Sequence, residues 1–595
     1  MDRRSMMIGT AWAAVFAASR ALPQNTDNSK LLNALFDQFM TENLDISPVS
    51  VTSLGMDTGA RARQKSEIDD GSEAGIERQK ALTASQLARL NAFDRANLSA
   101  PGALSYDVVI YGLRTNDAAN RAFRYGTGGA GQPFVLSQLN GSYEQLPSFL
   151  DNQHTIETKA DAEAYIARLA GFATLLDQEV EVARHDLAMR VTPPDFALAK
   201  TLAQMQTLRA PPPEKSMLTT SIVRRTQQKK ILGDYAQRAS QLVKEKIYPA
   251  LERQIAVVRE MQKKATHDAG VWRLPEGEAY YNASLVFWAT TSKNADEIHQ
   301  LGLELVKDHT AHIDTLFRKL GMTQATVGER LRALYKDPKY LYANTDAAKN
   351  ALLADLNARV HRVRAKLPNY FGTVPKADVE IKRVPKEIEA GSPGGYYNPS
   401  SLDGKRPGIY WINLRDTSEQ PKWMLPTLTY HESIPGHHLQ LSIQQEANLP
   451  LIRKVSFYSA YIEGWALYAE QLAGEMGEYD NDPLGQIGQL HDSMFRAARL
   501  VVDTGVHSKK WTREQAVRYF VDTLGSPETS SITEVERYCV WPGQACTYML
   551  GKLTFLAQRS RAQKMLGAKY DIRKFHDAML LPGAVPLELL EHIYT

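Results

Sequence analysis

The octapeptide HESIPGHH at residues 431–438 constrains the fold of this chain more than any other stretch. A His-Glu pair with further histidines close behind is typical of zinc hydrolases, in which two histidines one helical turn apart hold the ion. Here the fourth residue after His431 is Pro435, which has no ligand atom. The candidate second ligands are His437 and His438, and in a straight helix each would lie about 9–10 Å further along the axis.

The Pro435-Gly436 pair resolves this conflict. Proline removes the helical hydrogen bond to the carbonyl of His431, and glycine tolerates the dihedral angles of a bulge. Two residues looped out of the helix would place His437 where the second ligand normally lies. We therefore predict His437 as the ligand in preference to His438, with His438 as a neighbour of the site or as a substrate contact.

Two glutamates complete the expected zinc site. Glu432 follows the first ligand directly, so its side chain is expected to face the position of the attacking water, as a general base requires. About thirty residues later the segment EGWALYAE opens with Glu463, which we predict as the third ligand, with Glu470 as the weaker candidate. Three protein ligands leave one position open, as in catalytic zinc sites. The alternative is that these residues only cap or bridge helices.

Most of the chain is predicted as helix. Apolar residues recur at steps of three to four between Ala351 and Leu367, and Pro368 then stops the helix. The same pattern runs from Ile247 to Val258, where Pro249 marks a helix start or a kink. Helical patterns of this length favour long antiparallel pairs.

Clear β signals occur only just upstream of the histidine motif, at Val379–Val384 and Gly408–Asn413. We therefore expect a mainly α-helical fold with a small β-sheet next to the metal site. Between the two segments, Gly394 to Tyr397 includes Tyr396, a candidate substrate contact if this stretch offers a strand edge to an extended peptide. A simple hairpin is the competing interpretation.

The N-terminus is typical of an export signal: Arg3-Arg4, then an apolar run from Met6 to Ala18, then small residues. The alternative is a frayed helix of a cytosolic protein. We divide the chain into a signal peptide (1–21), an N-terminal helical region (22–210), a helical region of the catalytic body (211–390) and a zinc-binding catalytic region (391–595). The mature chain is expected to be periplasmic or secreted, without an integral membrane segment, because no later run reaches about 18 apolar residues.

Charge and cysteine usage exclude several function classes. The chain has 70 basic and 67 acidic residues, so nothing favours a nucleic acid partner. Its only cysteines are Cys539 and Cys546, which we interpret as core thiols, and none follows the apolar run to accept a lipid.

Several motifs together resemble a bacterial family filed as domain of unknown function 885, which is distantly similar to gluzincin-type zinc metallopeptidases. The matching stretches are HESIPGHHLQ, EGWALYAEQLA, RAARLVVDTGVH, EVERYCVWPGQACTYMLGK and, more weakly, GVWRLPEGEAYY. The resemblance implies a mostly helical, zincin-like architecture. It also implies one Zn²⁺ per chain held by His431, His437 and Glu463, with Glu432 as the base.

Five further residues are candidates for contact with a substrate. Tyr548 and His507 would polarise the substrate carbonyl, because hydrolysis needs a donor where the oxyanion forms; both are equally interpretable as core residues. Arg537 and Arg499 would bind a peptide carboxylate, or else form structural salt bridges. Gln544 lies in the same motif and is a further candidate contact.

The favoured hypothesis is an exported zinc metallopeptidase that cleaves oligopeptides, since a helical N-terminal half would wall a cleft that admits only short or unfolded peptides. A zinc hydrolase of a non-peptide amide or ester is the second hypothesis. A non-catalytic exported binding protein with structural histidines is the third. Oligomeric state stays open.

Overall fold

The computed structural model describes residues 28–384, 386, 389, 394–402, 404 and 406–594; the predicted signal peptide at 1–21 lies outside these residues. Within them, no helix is both long and apolar enough to cross a bilayer. The protein is mainly helical, as predicted. The helices are α1 (Ser29–Asp45), α2 (Pro48–Ser53), α3 (Glu73–Asn91), α4 (Ala100–Ala122), α5 (Ser142–Asn152), α6 (Lys159–Ala188), α7 (Asp195–Arg209), α8 (Met217–Gln228), α9 (Tyr235–Leu242), α10 (Tyr248–Gln262), α11 (Gly277–Ala289), α12 (Ala295–Lys319), α13 (Val327–Lys336), α14 (Asp346–Lys366), α15 (Leu425–Glu432), α16 (His437–Glu446), α17 (Leu451–Lys454), α18 (Ser459–Glu475), α19 (Pro483–His507), α20 (Arg513–Leu524), α21 (Glu528–Val540), α22 (Thr547–Leu566), α23 (Ile572–Leu580) and α24 (Leu587–Leu590).

The two helices predicted from periodicity are both present. Helix α14 buries Leu352, Leu356 and Val360 on one face, and it gives way to a short 3₁₀ turn that contains Pro368. Helix α10 continues without a gap from a π-helical turn at Val243–Ile247, and Pro249 lies just after this wider turn, which accommodates its missing backbone N–H.

A three-stranded sheet lies beside α14 and α15, with β1 (Val379–Arg383), β2 (Gly395–Asn398) and β3 (Gly408–Ile412). Strand β3 is central, parallel to β1 and antiparallel to β2. Tyr410 and Ile412 of β3 are fully buried in the main core, which fixes the register of the sheet. The predicted small sheet is thus confirmed, and β2 with β3 forms the antiparallel pair that the hairpin interpretation required.

Two large hydrophobic clusters organise the described residues. The main core runs from Leu104 to Leu590 and takes in the sheet and the C-terminal helices; a second core, from Val135 to Met261, joins α5 to α10. The predicted boundary at residue 211 falls inside this second core. Cys539 and Cys546 are both free and buried, as expected for core thiols.

Helices α18 and α22 make a glycine-to-glycine crossing. A Cβ atom on Gly464 would lie 2.4 Å from the Cα of Gly551, and one on Gly551 would lie 1.9 Å from the carbonyl oxygen of Ala460. Only glycine permits backbones to approach this closely. The crossing lies one residue from Glu463 and three from Tyr548, so it sets the spacing between these two candidate site residues.

We expect Gly464→Ala and Gly551→Ala to lower the free energy of unfolding by at least about 1–3 kcal/mol each, because the added methyl group meets backbone that cannot move aside. The comparison is Gly474→Ala, near the end of α18, where a Cβ would meet only the Tyr479 side chain at an ordinary 3.4 Å. Thermal denaturation followed by circular dichroism measures all three variants. Equal melting temperatures would show that the crossing is not tight.

Candidate metal centre

The histidine motif forms a complete break between two helices. Helix α15 ends at Glu432 and α16 begins at His437, with Ser433 and Gly436 at ψ of −114° and −130°. The predicted bulge within one continuous helix is therefore wrong, since both residues leave the helical region of backbone space. A Cβ on Gly436 would lie 2.0 Å from the carbonyl oxygen of His431, so only glycine allows the chain to fold back here.

The break brings His437, and not His438, to His431. The two imidazole rings are 4.7 Å apart between centroids and nearly perpendicular, at 86°. Glu463 of α18 joins them, and one ligand atom from each residue lies within 4.8 Å of the others. Within the described part of the chain, this is the only such group of three or more histidine, cysteine or acidic residues.

The spacing of these atoms fits a zinc ion. The Nε2 atoms of His431 and His437 each lie 3.4 Å from Oε2 of Glu463. Ligands about 2.0–2.2 Å from a tetrahedral zinc ion are about 3.3–3.5 Å apart, so both distances match. Oε2 of Glu463 is buried and accepts no hydrogen bond from the described residues, as expected of an atom that binds a metal.

Glu470 orients the first histidine. Its Oε1 lies 2.7 Å from Nδ1 of His431, whereas Glu463 lies at the other ring nitrogen, Nε2. Burial and the nearby Asp492 raise the pKa of Glu470 to about 8, so it keeps a proton at neutral pH. Glu470 can then accept from Nδ1–H of His431, and its proton helps to lower the pKa of Asp492. A carboxyl group behind a ligand histidine fixes its tautomer and strengthens metal binding.

The signal for Glu470 was present in the sequence. It lies seven residues after Glu463, two helical turns along the same face of α18, and so must point to the same side. Asp492 in turn forms an ion pair with Arg496 of α19. Neither residue of that pair was predicted, because the pair depends on how α19 packs against α18.

The charges within the cluster oppose the effect of burial. Burial alone would lower the pKa of His431, but the neighbouring carboxyl groups of Glu463 and Glu470 raise it well above the ordinary value. Burial alone would raise the pKa of Glu463, yet the two histidines hold it well below the ordinary value. For Glu432, burial outweighs the opposing effect of the same two histidines and raises the pKa, as suits a group that must accept a proton.

Of the two roles predicted for His438, the geometry supports that of a neighbour of the site, and the substrate contact is wrong. Its side chain is completely buried. Nε2 lies 3.0 Å from the carbonyl oxygen of Ala377, and Nδ1 lies 2.9 Å from the hydroxyl of Tyr397 on β2. Burial lowers the pKa of His438 to about 4, so the neutral ring donates to Ala377 and accepts from Tyr397. It fastens β2 to α16, the helix that begins at His437.

His507 cannot polarise a substrate carbonyl, which corrects a second prediction. Its Nδ1 accepts a hydrogen bond from the backbone N–H of Val271 at 3.1 Å, so Nε2 carries the proton and donates to the carbonyl oxygen of Tyr538 at 3.0 Å. Both ring nitrogens are therefore used in joining three parts of the backbone. The core interpretation is the one that the geometry supports.

Tyr548 does lie beside the cluster. Its ring is 6.5 Å from that of His431 and nearly parallel to it, at 22°. The residue is half-buried, and its hydroxyl forms no hydrogen bond with the described residues. Such a hydroxyl is free to donate to a developing oxyanion.

The two predicted arginines meet behind Tyr548. The guanidinium carbon of Arg499 lies 4.4 Å from the centre of the Tyr548 ring. Arg499 and Arg537 both donate to Oε2 of Glu534, each at 2.9 Å. Arg537 also donates to Gln544 at 2.6 Å. Glu534 was missed, although it lies one helical turn before Arg537 on α21.

Tyr396 lies on an edge strand. Its ring stacks on Trp411 of β3 at 6.4 Å and 28°. Strand β2 pairs only with β3 among the described strands, so its outer edge is unpaired there. The same strand contacts α15, which carries His431 and Glu432. The predicted strand edge thus exists close to the cluster.

Comparison with known proteins identifies the family. The family model for bacterial proteins of unknown function, DUF885, matches residues 48–593. The chain belongs to this family. No curated protein matches it.

Two solved structures resemble this DUF885 chain over nearly its whole length. "The putative lipoprotein from Colwellia psychrerythraea" is 33% identical, with a TM-score of 0.91 over 96% of this chain and 98% of that one. A "putative lipoprotein of unknown function from Shewanella oneidensis" is 16% identical, with a TM-score of 0.71 over 94% of this chain and 99% of that one. The second likeness shows the fold alone.

The protonation state of Glu470 in this DUF885 protein is testable by substitution. Glu470→Gln has the same shape and the same donor and acceptor as the protonated carboxyl, so we expect zinc affinity within about threefold of wild type. Glu470→Leu removes both bonds and should weaken zinc binding about 10–100-fold. Competition with a chromophoric chelator measures the affinity, with circular dichroism as the check on folding. Equal losses in both variants would mean that Glu470 must be ionised.

Proposed function

We propose that this DUF885 protein is a zinc-dependent metallopeptidase of zincin-like, gluzincin type that hydrolyses oligopeptides. The observation that carries the proposal is the pair of 3.4 Å distances from His431 and His437 to one oxygen of Glu463. Both separations match those between ligands of a tetrahedral ion, and the shared oxygen has no hydrogen-bond donor among the described residues. One zinc ion per chain is the cofactor that this set would hold.

Each side chain around the ligands then has a distinct part. A bound zinc ion would supply an activated water and polarise the substrate carbonyl. Glu432 takes the proton of that water and delivers it to the departing amine, for which its raised pKa is suited. The Tyr548 hydroxyl donates to the oxyanion. Glu470 holds the ring of His431 in the tautomer that binds metal.

A peptide is favoured over other amides and esters by the unpaired edge of β2. An extended peptide can add to such an edge through backbone hydrogen bonds, which recognise any sequence. The edge belongs to the strand that contacts α15, so an added peptide would run past the ligands. The Tyr396 and Trp411 rings would lie along its path.

We also propose export to the periplasm or beyond. The basic and apolar N-terminal residues support it, and the similar structures are described as lipoproteins.

The ligand assignment predicts which variants lose zinc. His431→Ala, His437→Ala and Glu463→Ala should each release most of about one equivalent of zinc, because each removes one of three ligands. His438→Ala is the matched control: it should keep zinc and lose activity only partly, since the residue supports the sheet. Plasma emission spectrometry on dialysed protein measures the content. Zinc loss from His438→Ala with retention in His437→Ala would reverse the assignment.

The base assignment predicts a separation of binding from turnover. Glu432→Gln is nearly isosteric but cannot take a proton, so zinc content and peptide affinity should persist while kcat falls at least about 100-fold. Chelation should abolish wild-type cleavage, and added zinc should restore it. A fluorogenic peptide library provides the assay. Normal turnover in Glu432→Gln would refute the mechanism, and a zinc-loaded wild type that cleaves no peptide would favour a non-peptide substrate.

A further inference from the structure

The arginine group behind Tyr548 carries more positive than negative charge. Oε2 of Glu534 accepts from Arg499, from Arg537 and from the hydroxyl of Tyr538, at 2.9, 2.9 and 2.8 Å. Two guanidinium groups thus share one carboxylate. Asp492 cannot supply the missing negative charge, because it is already paired with Arg496. One positive charge remains without a counter-charge in a largely buried place.

The hydrogen bonds show the same deficit. Nη1 of Arg499 is buried and forms no hydrogen bond with the residues that the structure describes, and the residue as a whole is only 5% exposed. Every other buried arginine nitrogen without a partner in that part of the chain is an Nε atom, which has a single hydrogen. A terminal nitrogen with two unused hydrogens in such a place costs free energy unless an acceptor arrives.

The group lies within reach of the metal ligands. The Arg499 guanidinium is 4.4 Å from the Tyr548 ring, which is 6.5 Å from the His431 ring. The distance from the Arg499 guanidinium to the His431 ring is therefore at most the sum of these two lengths. About three residues of extended peptide cover that span.

We propose that Arg499 and Arg537 bind the free α-carboxylate of a peptide substrate, so that the enzyme is an exopeptidase that releases C-terminal fragments of one to three residues. The inference rests on the proposed peptidase function. Hydrolysis consumes one water: the C–N bond breaks, the upstream product gains a carboxylate, and the released fragment gains an amine. A carboxylate at the arginines supplies both the missing charge and the missing acceptor, and guanidinium binds it with two parallel bonds.

Paired substrates test this assignment. Each peptide is made with a free or amidated C-terminus, and with a free or acetylated N-terminus. Amidation should lower kcat/KM at least about thirtyfold, as expected when a buried charge loses its partner, and acetylation should have little effect. Mass spectrometry of the free-acid products should show only fragments of one to three residues from the C-terminus.

The outcomes separate this inference from the proposed function. Equal cleavage of acids and amides, or cuts far from the C-terminus, would overturn the exopeptidase assignment and leave the peptidase standing. A preference for internal acidic side chains, retained after amidation, would also overturn it. Cleavage of neither acid nor amide would overturn the proposed function itself.

A binding measurement assigns the preference to the arginines. In a zinc-loaded Glu432→Gln background, calorimetry compares the affinity for one peptide as its acid and as its amide. Arg537→Gln should reduce the acid-over-amide ratio at least tenfold, and Glu534→Gln should raise it because a competing carboxylate is removed. Arg559 lies on the same helix as Tyr548 and forms an ion pair with Glu475 of α18. Arg559→Gln breaks this ion pair and should leave the ratio unchanged. An unchanged ratio in both Arg537→Gln and Glu534→Gln would overturn the assignment.

Discussion

His431 is clamped between two carboxyl groups of one helix, and the candidate site depends on that clamp. Glu463 lies on its Nε2 side and Glu470 on its Nδ1 side, both from α18. The clamp joins α15 to α18, and the break before His437 places the first residue of α16 beside His431. Because the Gly464 and Gly551 backbones then bring α22 against α18, Tyr548 comes to lie beside the clamped ring.

Such a buried set of charges is an expensive way to stabilise a fold. Removing each charge from water costs several kcal/mol, and apolar residues of similar volume often serve stability equally well. Here Glu432, Glu463, Glu470, Asp492, Arg496 and Arg499 are all largely buried within a short distance of one another. The proposed cation and substrate would complete their proton and hydrogen-bond arrangement, so the proposed function explains the cluster better than stability does.

The residues around the site are of two kinds: some hold the backbone in place, and others have hydrogen-bonding groups that a ligand could use. His438 and His507 use both ring nitrogens to fasten the backbone, so their chemistry is spent on positioning. Tyr548, the edge of β2 and Nη1 of Arg499 keep unused hydrogen-bonding capacity within the described structure. A peptide that met all three would be held along its backbone and at its C-terminus.

The residue types of the metal centre could be predicted from the sequence alone, since a His-Glu pair, a Pro-Gly break and a glutamate at the start of the next long helix have few other uses. The helices and the small sheet could also be predicted, because both follow from local patterns of apolar residues.

What only the tertiary structure decided is which side chains face one another across elements distant in sequence. Periodicity shows that His507 and Arg499 lie on one helix. It does not show that His507 is bonded to a backbone amide and a carbonyl, or that Arg499 contacts Glu534 and the ring of Tyr548. Likewise, proline and glycine predict that the helix is interrupted. The close approach of Gly436 to the carbonyl of His431 determines that the interruption separates two helices. Local sequence governs backbone preference, and partners for buried charges arise only when the core closes.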